Sequence, residues 1–353
     1  GLEKWARELL SSKKEDHDGK YTVFTKSYDR VYTAYDTEFP VEDNGRVDDT
    51  AKCLMHPEGR ADYVALRRQS GSKLGVMRRK LERALLTQMN VEYEGGFRRG
   101  KLNRRALVSV AQHNKNVYRK KQEAEAMDTA VTILVDCSGS MEGSKLALAQ
   151  RSTIALAEAL ENTEVALEIL GFSVNRTIDW YEISGFNQIL DADEEKKARR
   201  DFYDRYNRYK STVDTYVFKA FNEDLGKAKR AIGNMQRVPT YNNNDAESLE
   251  VAYERLRVRD EKRHVMLVLS DGYPAGGGRG GDVYLREVVN RLENYGVDMI
   301  GIGIQSNAVK QFYPKWVVIE SLDDLSKTVL DQIAKALLGQ NFKVDNADLL
   351  KAS

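Results

Sequence analysis

Three oxygen-bearing side chains stand at alternate positions in Asp136-Cys-Ser138-Gly-Ser140. One carboxylate and two hydroxyls on so short a loop make a compact all-oxygen site, the donor type preferred by Mg2+ and other hard divalent cations such as Mn2+ or Ca2+. A second carboxylate, Asp271, ends the apolar run Val265-Met-Leu-Val-Leu-Ser270 and is followed by Gly272. Between them in sequence lies Thr240-Tyr-Asn-Asn243-Asn-Asp245-Ala-Glu247-Ser-Leu. Asn243 and Asp245 there can ligate a cation directly or through water, with Thr240 the weaker candidate. The candidate metal ligands are therefore Asp136, Ser138, Ser140, Asn243, Asp245 and Asp271. Two structural explanations compete. Serines after a strand also serve as helix N-caps, and Asp245 and Glu247 suit the first turn of a helix because they complement its dipole. Two strand-end aspartates together favour the cation. Such a site keeps coordination positions open for water or for a carboxylate from another protein. It offers no base, nucleophile or substrate pocket, so no catalytic residue is assigned.

The elements that must carry these loops are legible. Thr129–Asp136 is apolar, β-branched and bounded by a turn, which reads as a buried parallel strand. It places Asp136 at a strand's carboxyl end, where open α/β sheets put their ligands. A helix is expected over about 143–161, then a strand over 165–172 and a short antiparallel neighbour over 177–183. Helices over about 190–210 and 215–234 form a charged insertion. Helix 245–258, strand 265–270, helix 282–295, strand 297–304, strand 316–319 and a helix over about 322–338 complete the order. This alternation predicts an α/β fold, a doubly wound, mostly parallel sheet with flanking helices. The expected layout is a smaller, basic, mainly helical N-terminal region over 1–125, a core domain over 126–342 with a helical insertion at about 187–235, and a tail over 343–353. In the N-terminal region, Leu74, Met77, Leu81, Leu85 and Met89 form an apolar stripe on a helix over 62–90, which Gly71 and Gly75 weaken. Tyr93–Leu102 reads as a turn or short hairpin, followed by a short helix with Asn103 as a cap.

Bulk properties narrow the function. The chain has 353 residues and a formal charge of +1, enough for one large or two ordinary domains. No run reaches the roughly 18 apolar residues of a membrane span. No stretch has the layout of a secretory leader, and Cys53 and Cys137 do not form a disulfide framework. These features favour the cytoplasm over an extracellular adhesive role. The chain starts at Gly1 rather than Met, so upstream residues are expected. The four histidines, His17, His56, His113 and His264, lack zinc spacing. Gly276–Gly281 lacks the Gly-Lys-Ser/Thr ending of a phosphate loop, so no nucleotide site of its own is expected. From Arg60 to Lys121 there are seventeen Lys/Arg against four Asp/Glu. Tyr63, Tyr93, Phe97 and Tyr118 interleave with them, as in surfaces that track nucleic acid. A solvated helical face or a face for an acidic subunit is the preferred reading, so nucleic acid is not the expected partner.

Several segments together resemble one family. Asp136-Cys-Ser-Gly-Ser140 is similar to the metal-ion-dependent adhesion site (MIDAS) of von Willebrand factor A (VWA) domains. Tyr21-Thr-Val-Phe-Thr-Lys-Ser-Tyr-Asp-Arg-Val, Leu81-Glu-Arg-Ala-Leu-Leu-Thr-Gln-Met-Asn, Gly100-Lys-Leu-Asn-Arg-Arg-Ala-Leu, Val165-Ala-Leu-Glu-Ile-Leu-Gly-Phe, Asn243-Asn-Asp-Ala-Glu-Ser-Leu, Leu269-Ser-Asp-Gly-Tyr-Pro and Gly301-Ile-Gly-Ile resemble the CobT subunit of aerobic cobaltochelatase and its phage-encoded relatives. The likeness covers most of residues 20–340. It implies that Asn243–Glu247 is a family variant of the loop that carries a threonine in many VWA domains. Ala246 stands where the family has glycine. The resemblance also implies a MoxR/CobS-type AAA+ ATPase ring as partner, and such a ring would favour a ring of this chain or several bound copies. A large chelatase subunit that inserts Co2+ into a corrin would be driven by the pair. The chain is short for a full cobaltochelatase subunit and has no acidic low-complexity stretch. An adaptor of an AAA+ remodelling complex without a chelatase role is therefore the alternative.

Overall fold

A computed structural model describes residues 21–36, 48–88, 93–97, 101–102, 118–121, 128–161, 163, 165–174, 191–208, 211–272, 274 and 280–324. The expected short strand over 177–183, the helix after Leu102, the glycine run 276–279 and the C-terminal segment beyond 324 lie outside them.

The strands of the main sheet are β1 (Arg30–Thr33), β5 (Thr129–Asp136), β6 (Ala166–Ser173), β7 (Asp214–Lys219), β8 (Arg263–Ser270), β9 (Val297–Ile304) and β10 (Lys315–Ile319). Their spatial order is β1-β7-β6-β5-β8-β9-β10. All neighbouring pairs are parallel except β6 with β7, so β7 and β1 run against the rest. A small separate sheet joins β2 (Tyr93–Phe97), β3 (Lys101–Leu102) and β4 (Tyr118–Lys121), with β4 in the middle. The 93–102 segment is thus no simple hairpin. Both of its strands pair antiparallel with 118–121, a stretch that polarity alone presents as a linker.

The helices are α1 (Ala51–Leu54), α2 (Gly59–Gln88), α3 (Ser144–Leu160), α4 (Ala192–Arg205), α5 (Leu225–Gly233), α6 (Asp245–Leu256), α7 (Gly281–Asn294) and the short α8 (Leu322–Asp324). Gly71 breaks α2 with φ 45, a conformation open to glycine and costly for residues with a Cβ. The sequence places the weakness of this helix at the same point. Asp191 caps α4 by accepting from the Asp193 and Glu194 amides, as short acidic side chains do at helix starts.

The sheet separates two apolar layers, because successive strand residues face opposite sides. Val131, Ile133 and Val135 of β5 pack with α3, α5 and the N-terminal Tyr32, Leu54 and Tyr63. Ala130 and Leu134 face Leu249 and Leu256 of α6 and Leu285, Val288 and Leu292 of α7. Each fully buried aliphatic side chain contributes about 1.5–3 kcal/mol, so both layers hold the sheet firmly. This is the doubly wound architecture expected.

One expectation requires correction. The second insertion helix, expected over 215–234, is instead strand β7 followed by the shorter helix α5. Asp214-Thr-Tyr-Val-Phe-Lys219 is β-branched and aromatic, and every one of its residues is buried, so the sheet decides its conformation. Residues before 125 also contribute to the main sheet and its core. Strand β1 joins the sheet edge beside β7, and Tyr32, Leu54 and Tyr63 share the core of α3 and β5. Among the described residues no helix is long and apolar enough to cross a membrane.

Candidate metal centre

The chain visits β5, β6 and β7 on one side of the sheet and β8, β9 and β10 on the other. The reversal leaves a crevice at the carboxyl ends of β5 and β8, the topological switch point where such sheets bind ligands. Asp136 ends β5 and Ser270 ends β8, with Asp271 immediately after it.

After Asp136 the chain turns through a short 3-10 segment, Gly139–Met141, with Ser138 extended at its start. Asp136 shapes this turn: its Oδ1 accepts from the Ser138 amide at 2.8 Å. Its Oδ2 accepts from the Ser270 hydroxyl at 2.9 Å, which ties the two strand ends together. The Ser138 and Ser140 hydroxyls are 3.1 Å apart. Ser140 then donates to Asp271 Oδ1 at 2.7 Å. Asp136, Ser138, Ser140 and Asp271 therefore form one connected oxygen cluster. Asp136, Ser138 and Asp271 are buried, and Ser140 is exposed at its rim.

The third loop closes over this cluster through its backbone. Gly139 donates to the Tyr241 carbonyl at 2.5 Å, and Val174 donates to the Asn242 carbonyl at 2.7 Å. A side chain at Gly139 would press on the Tyr241 carbonyl. Asn243 is buried and donates to Asp245 Oδ2 at 2.8 Å. Asn244 caps α6, accepting from the Glu247 amide. Glu247, in the same turn, faces away from the cluster. It accepts from Arg208, Asn244 and Tyr21, so its role is structural.

The carboxylates are poorly solvated. Burial pushes the Asp136 carboxyl up to about 6, with the charge of Asp271 adding to it and hydrogen bonds from Ser138 and Ser270 opposing it. Burial also raises Asp245 well above the usual carboxylate range, with the Asp136 and Asp271 charges adding to that. Carboxylates crowded in this way gain most from a cation. The structure supplies one: the Lys145 ammonium contacts Asp271 Oδ2.

Cys137 points the other way, into the apolar layer of β5, where burial and the Asp136 charge raise its thiol. It is a packed residue and no ligand. Among the described residues no three His, Cys, Asp or Glu side chains form a metal cage by themselves. The donor set mixes carboxylate with hydroxyl oxygen, the all-oxygen type that hard divalent cations prefer. Two contributors escape the motif reading. Ser270 is foreshadowed only by its place before the strand-end aspartate. Lys145 lies four residues beyond Met141 with no distinguishing pattern.

A doubly wound sheet with oxygen-bearing loops at its β5/β8 switch point defines a VWA-type domain. Residues 117–339 match the family described as the cobalamin biosynthesis protein CobT VWA domain, and the chain belongs to that family. One curated relative, the uncharacterized protein YojO of Bacillus subtilis, is 25% identical over 221 residues, covering 62% of this chain. The matched region spans only 30% of that relative's length. Among solved structures, the PilB minor pilin of Streptococcus sanguinis aligns at 13% identity and a TM-score of 0.42, covering 62% of this chain and 64% of that one. Proximal thread matrix protein 1 of the mussel byssus, solved with zinc in its MIDAS motif, aligns at 13% identity and a TM-score of 0.39, covering 58% of this chain and 46% of that one.

Proposed function

We propose that this chain is the non-ATPase VWA subunit of a cobaltochelatase-like complex in the cytoplasm. It docks through a Mg2+-loaded MIDAS onto a MoxR/CobS-type AAA+ ATPase ring, which drives metal insertion into a corrin by a large chelatase subunit. One observation carries the docking role: the unbroken oxygen cluster from Asp136 through Ser138 and Ser140 to Asp271, placed at the rim of the switch-point crevice. Family membership supports the link to cobalamin biosynthesis.

In this reading Asp136, Ser138, Ser140 and Asp271 hold the cation, and Asn243 and Asp245 support it from the third loop. The cation supplies an open coordination position that a partner's carboxylate fills. The protein's residues do the positioning. The Ser270 hydroxyl orients Asp136, and the Asn243 amide holds Asp245. Backbone bonds from Gly139 and Val174 fix the third loop against the first.

The test is capture of a purified MoxR/CobS-type AAA+ ATPase, with Mg2+ or with EDTA, by the wild type and by Asp136→Ala. Capture should need the metal and disappear in the variant. Metal-independent capture that survives the substitution would remove the docking role. If capture succeeds but the assembled complex inserts no Co2+ into a corrin, the adaptor of an AAA+ remodelling complex becomes the better reading.

A further inference from the structure

The Lys145 ammonium sits on Asp271 Oδ2, while Asp271 Oδ1 receives the Ser140 hydroxyl. The two partners differ in their surroundings. The Asp271 side chain is 1% exposed, whereas that of Lys145 is 33% exposed. Lys145 is the second residue of α3, so its Cα is fixed by the helix while its long stem reaches the site from the solvent side. The carboxylate cannot leave. The lysine can, because its ammonium exchanges this contact for water by rotation of a flexible chain.

We infer that Lys145 is a tethered counter-ion that competes with the divalent cation for Asp271 and so sets the metal affinity of the site. This inference rests on the metal-docking reading above. Two cations cannot share one carboxylate edge without repulsion. Metal entry at Ser140 and Asp271 puts a second cation on this carboxylate, and the repulsion favours release of the ammonium into solvent. Without metal, the lysine offsets the charge of a buried carboxylate and keeps the crevice intact. Removing it should have two opposite consequences. The metal-free protein becomes less stable, because Asp271 loses its cation, and the metal binds more tightly, because nothing has to be displaced.

The experiment is a Mn2+ titration of the full chain, read by the loss of the free-ion EPR signal and by the thermal midpoint with and without Mn2+. It compares the wild type with Lys145→Met, Lys145→Arg and Asp136→Ala. Lys145→Met is expected to bind Mn2+ about tenfold more tightly, an effect between that of an exposed and a buried ion pair. It should also melt earlier in EDTA. Lys145→Arg keeps the charge and should stay near the wild type. If the wild type binds Mn2+ through Asp136 but Lys145→Met binds no more tightly, the competition is refuted while the metal site stands. If no chain binds Mn2+, both the site and the competition fall.

Discussion

Arg208 grips Glu247 with two nitrogens: its Nε and Nη2 each lie 2.7 Å from a Glu247 carboxylate oxygen, with both side chains buried. The same guanidinium holds Asp29 at 2.9 Å through Nη1 and Nη2. Glu247 belongs to the first turn of α6, two residues after Asp245, and Asp29 immediately precedes β1. Tyr21 adds a hydrogen bond to Glu247 and stacks on Tyr284 of α7 with ring centroids 4.0 Å apart. The N-terminal segment and the Asn243–Glu247 segment thus share one buried ionic knot. Removing one partner of such a knot leaves an uncompensated charge, at a cost of about 3–5 kcal/mol. Arg208→Met should lose about that much in urea unfolding and expose residues 21–36 to limited proteolysis. Arg208→Lys keeps the charge but not the fork and should recover only part of the loss.

Asp136 opposes folding when it is charged. Its carboxyl titrates near 6 in the folded chain because it is buried beside Asp271, whereas an unfolded aspartate titrates near 3.9. The metal-free folded state therefore holds the extra proton between those values, and stability falls as pH rises through that window. Asp136→Asn removes the charge and keeps the pattern of bonds: its oxygen can accept from the Ser138 amide, and its NH2 can donate to Ser270. In EDTA at pH 7.5 this variant should be more stable than the wild type by on the order of 3 kcal/mol. The gain should fade toward pH 4.5, and Mn2+ should no longer stabilise the protein. Equal stability of the two chains in EDTA at pH 7.5 would contradict the strain.

Metal should stabilise the wild type by mass action. At a hundredfold excess over the dissociation constant, the gain is about 2.7 kcal/mol, or roughly 5–10 °C in the melting midpoint of a domain this size. Ser140 is exposed, so Ser140→Ala should leave the EDTA midpoint nearly unchanged. It removes one oxygen and the hydrogen bond to Asp271, and should weaken Mn2+ binding about tenfold or more. Scanning calorimetry over a Mn2+ series reads both effects.

Residues whose roles are local were legible in the sequence. Asp136 and Asp271 each close an apolar run, and that punctuation places each of them at a strand end, while the pairing of the two strands comes from the fold. The helices after them follow from the alternation of apolar runs with longer amphipathic stretches. What escaped depends on distant pairings. Strand β1 pairs residue 30 with residue 214, and no local pattern announces such a partner. Strand β7 hides its alternation because both faces are covered, even at Asp214 and Lys219. Arg208 looks like one more charge in a charged insertion until the fold brings Asp29 and Glu247 around it. Lys145 is equally anonymous, since its meaning comes from a carboxylate 126 positions away.

Gly301-Ile-Gly303-Ile is one of the segments that resemble the family, and the structure gives its glycines a physical reason. A side chain at Gly301 would run into the Tyr313 ring at 2.6 Å. At Gly303 a Cβ would lie 2.1 Å from the Ser306 carbonyl and 2.9 Å from Val309 Cγ2. The chain reverses immediately after β9, with Gln305 at φ 52 and its amide bonded to the Ile319 carbonyl. That backbone has little room to retreat, so Gly303→Ala must move either the turn or the strand. It should cost about 1–3 kcal/mol of unfolding free energy in denaturant, as overpacking does. Gly226 is the control. It is exposed in the first turn of α5, and a methyl group there would meet nothing within 4 Å, so Gly226→Ala should stabilise by about 0.4–1 kcal/mol through the unfolded state. Opposite signs at these two glycines would show that close backbone approach, and not glycine's intrinsic flexibility, fixes the residue at 303. A neutral Gly303→Ala would instead mean that the turn after β9 yields easily.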